Sequence, residues 1–289
     1  MLRVAAAARS MHRMDDLKDR GRATLPAASV ALLRRVVRAA RARAAAAPLK
    51  RLRRHPDATV RRIGLVLAQP HTDPEIETQR AAMLGDGSPL DDGTLPGSLR
   101  HDAGLSLGQA CRASMPPRKA AVLSALAGAF QPACAVELGT NVGVSAAYIA
   151  RAVRGTLTTF EVSPYRLRAA RRLHQRLGLS NIRYVQGRFG DTLDEALRGM
   201  PTVDFAFIDG HHRFRPTLDY TDAVVARAAE GAVFVYDDIR WSDGMREAWE
   251  ALRQDPRFGI ALDLDCIGVC VLGRQPQAGR LVAGPVRIA

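Results

Sequence analysis

No stretch of this sequence approaches the ~18–20 consecutive apolar residues that a membrane-spanning helix needs. Its longest apolar runs have only the length of β-strands. A membrane span is not expected, and a cytoplasmic protein is. Cysteine is scarce: Cys111, Cys134, Cys266 and Cys270 are scattered, and none has the spacing of a zinc knuckle. Buried, reduced thiols are the expectation, not a disulfide framework or a thiolate metal site. Acidic residues are nearly missing from the first 62 positions, which hold 17 Lys+Arg against Asp15, Asp16, Asp19 and Asp57. The rest of the chain holds 25 basic and 25 acidic residues, so its net charge of +13 belongs to the N-terminal segment. A neutral remainder gives no electrostatic argument for nucleic-acid binding by the core. The dinucleotide fingerprint G-x-G-x-x-G is missing as well.

What is present sorts into three parts. Residues 1–104 read as a basic, partly helical extension and a loop. Arg34, Arg35, Arg38 and Arg41 fall on one stripe of a helix expected after Pro26, with Leu32, Leu33, Val36 and Val37 between them. That segment reads as a solvated extension, as a surface for nucleic acid or an anionic membrane, or as a targeting peptide. Gly, Pro and Asp crowd residues 85–104 and read as a connecting loop. Residues 105–275 form the main domain and 276–289 a tail.

In the main domain, short apolar runs alternate with helical stretches. The runs are Ala133–Leu138, Thr156–Glu161, Ile182–Gln186, Val203–Ile208 and Ala232–Tyr236. The helices between and after them are Val144–Val153, Pro164–Leu177, Thr192–Arg198, Thr217–Ala229 and Gly244–Gln254. A further helix opens at Pro116-Pro117 and ends near Phe130. This alternation predicts βαβ units and a parallel sheet. Gly259–Leu264 and Ile267–Leu272 have no helix between them and predict an antiparallel hairpin at the sheet edge.

Ligands of such sheets bind beyond the carboxyl ends of the strands. The first strand runs into Glu137-Leu138-Gly139-Thr140-Asn141-Val142-Gly143, and Ser145 opens the next helix. Glycines let the backbone approach a ligand, and the helix N-terminus offers free N–H groups. The second strand ends at Glu161, about 20 residues after the turn, where a ribose diol is bound in folds of this kind. Val162 follows it, and Phe189 follows the third strand. The fourth strand ends in Asp209-Gly210-His211-His212 and the fifth in Asp237-Asp238. Three carboxylates facing one crevice repel unless a cation neutralises them, and oxygen ligands suit Mg²⁺, Mn²⁺ or Ca²⁺.

The Glu-Leu-Gly-Thr-x-x-Gly-x-Ser run resembles motif I of class I S-adenosylmethionine-dependent methyltransferases. The strand-end acids resemble those of the catechol and caffeoyl-CoA O-methyltransferases, and Asp209-Gly210-His211-His212 resembles a bacterial group related to them. The resemblance covers roughly residues 105–272. It implies a Rossmann-like, doubly wound, mostly parallel seven-stranded sheet with an antiparallel C-terminal hairpin. It also implies an S-adenosylmethionine site on Glu137, Gly139, Thr140, Asn141, Gly143, Ser145, Glu161, Val162, Phe189 and Asp209. By the same resemblance Asp209, Asp237 and Asp238 would hold a divalent cation such as Mg²⁺. Two departures stand out: Asp238 replaces an Asn, and His212 stands where the catechol enzymes carry a lysine base. An imidazole titrates near neutrality, so His212 is a candidate base, with His211 as runner-up, and Asp209 a catalytic partner. Alternatively the histidines orient Asp237 or Asp238.

The expected activity is methyl transfer to a hydroxyl of a small molecule. The alternatives are a nucleic-acid methyltransferase that uses the basic N-terminus, and a non-catalytic cofactor-binding module. No Asn-Pro-Pro-Tyr-type motif supports the former. A homodimer is compatible with the sequence.

Overall fold

The computed structural model describes residues 49–91, 102–273 and the backbone strand 281–283. The basic helix expected after Pro26 and part of the 85–104 loop lie outside the described residues, as does most of the 276–289 tail.

The described chain opens on helical residues 49–53, and two further helices follow: α1 (Ala58–Val66) and α2 (Pro74–Leu84). Each starts on an aspartate cap. Asp57 accepts the backbone N–H groups of Thr59 and Val60, and Asp73 those of Glu75 and Ile76. Such a side chain supplies the acceptor that the first helical turn lacks. A short helix, α3 (Leu107–Arg112), carries a complete capping box between Ser106 and Gln109. Helix α4 (Pro117–Phe130) begins on Pro117, where a missing N–H costs nothing.

The alternating pattern then appears as expected: β1 (Cys134–Leu138), α5 (Val144–Ala152), β2 (Thr156–Glu161), α6 (Pro164–Arg176), β3 (Ile182–Gln186), α7 (Phe189–Arg198), β4 (Val203–Ile208), α8 (Phe214–Val225), β5 (Ala228–Tyr236), α9 (Asp243–Gln254), β6 (Phe258–Asp263) and β7 (Gly268–Leu272). A short β8 (Leu281–Ala283) pairs in parallel with β6 and adds an eighth strand to the seven expected. The order across the sheet is β3-β2-β1-β4-β5-β7-β6-β8. Strands β3 to β5 run parallel, and β7 is antiparallel to both β5 and β6. The chain reverses its winding between β1 and β4, and a crevice opens there at the strand ends.

Strand residues alternate between two cores. Val136, Leu138, Ala206, Ile208, Phe234 and Tyr236 face one side. Ala135, Phe205, Phe207, Val233 and Val235 face the other. A period of two with both faces apolar is the signature of a sheet covered on both sides. Helices α1 and α2 take part in the second core through Val60, Ile63, Ile76 and Met83, although they precede residue 105. Polar ties fix α2 as well: the Tyr148 hydroxyl donates to Glu77 at 2.8 Å, and Arg151 pairs with Asp73 at 2.7 Å.

Three elements differ from expectation by three residues or more at a boundary. The helix expected at Thr217–Ala229 starts at Phe214 and ends at Val225, and β5 begins at Ala228, before the expected Ala232. Ala228 pairs with Val203 across an irregularity that the apolar pattern does not reveal. Helix α7 starts at Phe189 and not at Thr192.

Candidate active site

The turn between β1 and α5 is held open by glycine geometry. Gly139 has φ +109°, and a Cβ there would stand 2.3 Å from the carbonyl oxygen of Asp209. Gly143 has φ +91°, and its Cβ would meet Ala170 and the His174 ring, each at 2.7 Å. Side chains rarely adopt either conformation. His174 is buried, and its Nε2 donates to the Gly143 carbonyl at 2.7 Å. Its Nδ1 then accepts the Tyr184 hydroxyl, also at 2.7 Å. Burial lowers the His174 pKa to about 4, so the ring is neutral and clamps the turn to α6.

Glu161 ends β2 and joins the same turn. Its Oε2 accepts the N–H of Asn141 at 2.8 Å and its Oε1 that of Ser163 at 2.9 Å. Burial raises its carboxyl pKa, while these donors and Arg166 pull it back down. The Asn141 side chain turns away and accepts from Arg166 at 2.8 Å, and Arg166 pairs with the buried Asp102.

A cleft of about 580 Å³ opens over these residues. Of the residues expected around a cofactor, Gly139, Asn141, Glu161, Val162, Phe189 and Asp209 line it. Glu137, Thr140, Gly143 and Ser145 do not line it. Glu137, Thr140 and Ser145 are buried behind the turn. There Thr159 donates to Glu137 at 2.5 Å and shares a hydrogen bond with Thr140. Burial pushes the Glu137 carboxyl up to about 7, against the lowering effect of the Ser145 and Thr159 hydroxyls. Gly143 starts α5 in place of a side-chain cap. Phe189 packs so closely that a Cβ on Gly210 would lie 2.4 Å from its ring.

The strand-end acids meet beside the cleft. The backbone N–H of Asp209 bonds to Leu138 and that of Asp237 to Ile208, so both continue the sheet's ladder. Burial drives the Asp209 carboxyl well above the usual range, with Asp237, Asp238 and Glu137 adding to the rise. The two histidines separate. His212 Nε2 stands 3.4 Å from Asp209 Oδ1. His211 instead shares a 2.6 Å hydrogen bond with Tyr220 and stacks on its ring, and burial lowers its pKa. Trp241 is 72% exposed, with its ring 6.4 Å from that of His212. Trp249 is buried on α9 with Met245 and Leu252.

Lys119, which the sequence reading did not single out, enters this group from α4. Its Nζ lies 2.5 Å from Asp237 Oδ1 and 2.8 Å from Asp238 Oδ1. Burial works against its charge. Asp237 and then Asp238 outweigh that and hold the ammonium above the ordinary lysine range. Among the described residues no three His, Cys, Asp or Glu side chains are grouped to hold a metal ion. The donor set thus does not fit the divalent cation expected on Asp209, Asp237 and Asp238, because an ammonium already bridges two of the three acids. No helix among the described residues is long and apolar enough to cross a membrane.

Known proteins are similar to this arrangement. A methyltransferase domain family model matches residues 136–239. The catechol O-methyltransferase of Mycobacterium tuberculosis is 31% identical over 170 residues, covering 56% of this chain and 76% of that protein. Among solved structures, the O-methyltransferase of Bacillus cereus in complex with S-adenosylhomocysteine (SAH) aligns with a TM-score of 0.50 at 21% identity. That alignment covers 68% of this chain and 99% of the other. The SAH-bound methyltransferase of Podospora anserina aligns with a TM-score of 0.53 at 13% identity, covering 76% and 97%. At these identities the two structures speak to fold.

Proposed function

The chain belongs to the class I S-adenosylmethionine-dependent O-methyltransferases, and from that premise we propose that it methylates a hydroxyl of a small molecule at the crevice beyond β1, β4 and β5. The observation that carries this reading is the adjacency of the cleft on Gly139, Glu161 and Phe189 to the strand-end acids and His212. S-adenosylmethionine, consumed as a substrate, supplies an electrophilic methyl group. In this reading Glu161 accepts from its ribose hydroxyls, Phe189 packs on its adenine, and the Gly139 turn admits its methionine end. The acceptor oxygen forms the new C–O bond as the C–S bond breaks, and the bonding pair leaves with sulfur. His212 takes the hydroxyl proton, and Asp209 orients its ring through Nε2. Holding the two reactants in line supplies much of the rate.

The M. tuberculosis relative is named for catechol, which makes catechols the first acceptors to try. The test incubates the full-length protein with S-adenosylmethionine and a panel of catechols, other phenols and aliphatic alcohols, and reads methyl ethers by mass spectrometry. O-methyl products are expected. Methylation confined to nitrogen, sulfur or nucleic-acid acceptors overturns the reading.

A further inference from the structure

Nothing local to Lys119 favours a lysine. It lies in the first turn of α4, whose backbone dipole is positive at that end, and that turn holds no acid. Its partners come from the far end of β5, more than a hundred residues later. The lysine side chain is 17% exposed and that of Asp237 only 5%. Two adjacent, partly buried carboxylates repel each other, and a metal ion or an ammonium beside them relieves that repulsion. A hard cation must approach such oxygens to within ~2.0–2.6 Å. Lys119 Nζ already stands at contact distance from one oxygen of each acid, so a metal at those oxygens must displace it. Lys119 also lines a neighbouring cavity of about 590 Å³ with His71, Arg118 and Cys266.

We infer that Lys119 takes the place of a divalent cation in this protein, holding Asp237 and Asp238 with its ammonium, so that methyl transfer proceeds without bound Mg²⁺ or Mn²⁺. The inference rests on the O-methyl-transfer reading of the same site. Lys119 acts as a positioning residue toward the two acids.

The test uses Mn²⁺ alone as probe. Full-length protein stripped with EDTA is titrated with MnCl₂, and free Mn²⁺ is read by electron paramagnetic resonance. Wild type is expected to bind Mn²⁺ only at the weak, millimolar end of protein cation sites. Lys119→Met keeps the length of the side chain and removes its charge, and is expected to bind Mn²⁺ about tenfold or more tightly than wild type. Adding Asp237→Asn to it should abolish that gain. Tight Mn²⁺ binding by wild type, lost in Asp237→Asn, overturns the inference, and this arm needs no Lys119 variant to fold. A folded Lys119→Met protein that binds Mn²⁺ no better than wild type overturns it too. SAH titrated into the same samples separates the two claims. Absent SAH binding removes the methyl-transfer reading itself, whereas SAH binding with tight Mn²⁺ binding by wild type removes only the lysine substitution.

Discussion

The carboxylate of Glu161 accepts the backbone N–H of Asn141 at 2.8 Å, tying the acid that ends β2 to the glycine turn that follows β1. One side chain thus shapes the turn and faces the cleft. Glu161→Ala should weaken SAH binding by roughly 10- to 100-fold, the value of charge-assisted hydrogen bonds worth about 1.5–3 kcal/mol. The loss should be smaller for an analogue without the ribose 2′-hydroxyl. Calorimetry with both ligands checks this. Equal losses for the two would place Glu161 in the turn alone.

Gly139→Ala should destabilise the fold as well as the site. The substitution forces a side chain into φ +109° and against the Asp209 carbonyl. Strain of this kind costs about 1–3 kcal/mol before the clash is counted. Gly190→Ala is the control, because a Cβ there meets nothing within 4 Å. Thermal melting should show a clear drop for the first and little change for the second.

The two histidines should differ in effect. His212→Asn should lower kcat by about 10²–10⁴-fold, the usual worth of a general base, with little change in SAH affinity. His211→Asn breaks a hydrogen bond and a stack with Tyr220. It should act mainly on stability. Steady-state kinetics with a methylated acceptor and melting curves separate the two.

His174 makes stability depend on pH. Its folded pKa of about 4 lies below the ordinary 6.5, so the unfolded chain takes up the proton first. This contribution is fully present above pH 6.5 and is lost as pH falls from 6.5 toward 4. It amounts to about 3 kcal/mol, from 1.36 kcal/mol per pKa unit. Glu137, whose pKa is raised from 4.5 to about 7, has the opposite slope. His174 is therefore isolated by comparing wild type with His174→Gln in urea melts across this range. The variant should lose the acid-side decline that wild type shows.

Much of the fold was legible because a parallel sheet covered on both faces writes its strands as continuous apolar runs. Val136, Phe205 and Val233 belong to such runs. The cleft was legible where one turn carries its own chemistry, as at Gly139 and Glu161. Other features depend on distant partners and leave no local mark. Lys119 sits in an ordinary first helical turn, and only the fold brings it to Asp237. His174 reads as one more polar residue on α6 until it meets Gly143. Thr140 and Ser145 share the turn's motif with Gly139, but their hydroxyls lie beneath it. The early start of β5 at Ala228 follows from its pairing with Val203, which no periodicity encodes.

Calorimetric titration of the full-length protein with SAH tests the central claim most directly. Saturable binding of one equivalent is the predicted result, because the Gly139 turn, Glu161 and Phe189 form one cleft. A folded protein that takes up no SAH would contradict the account.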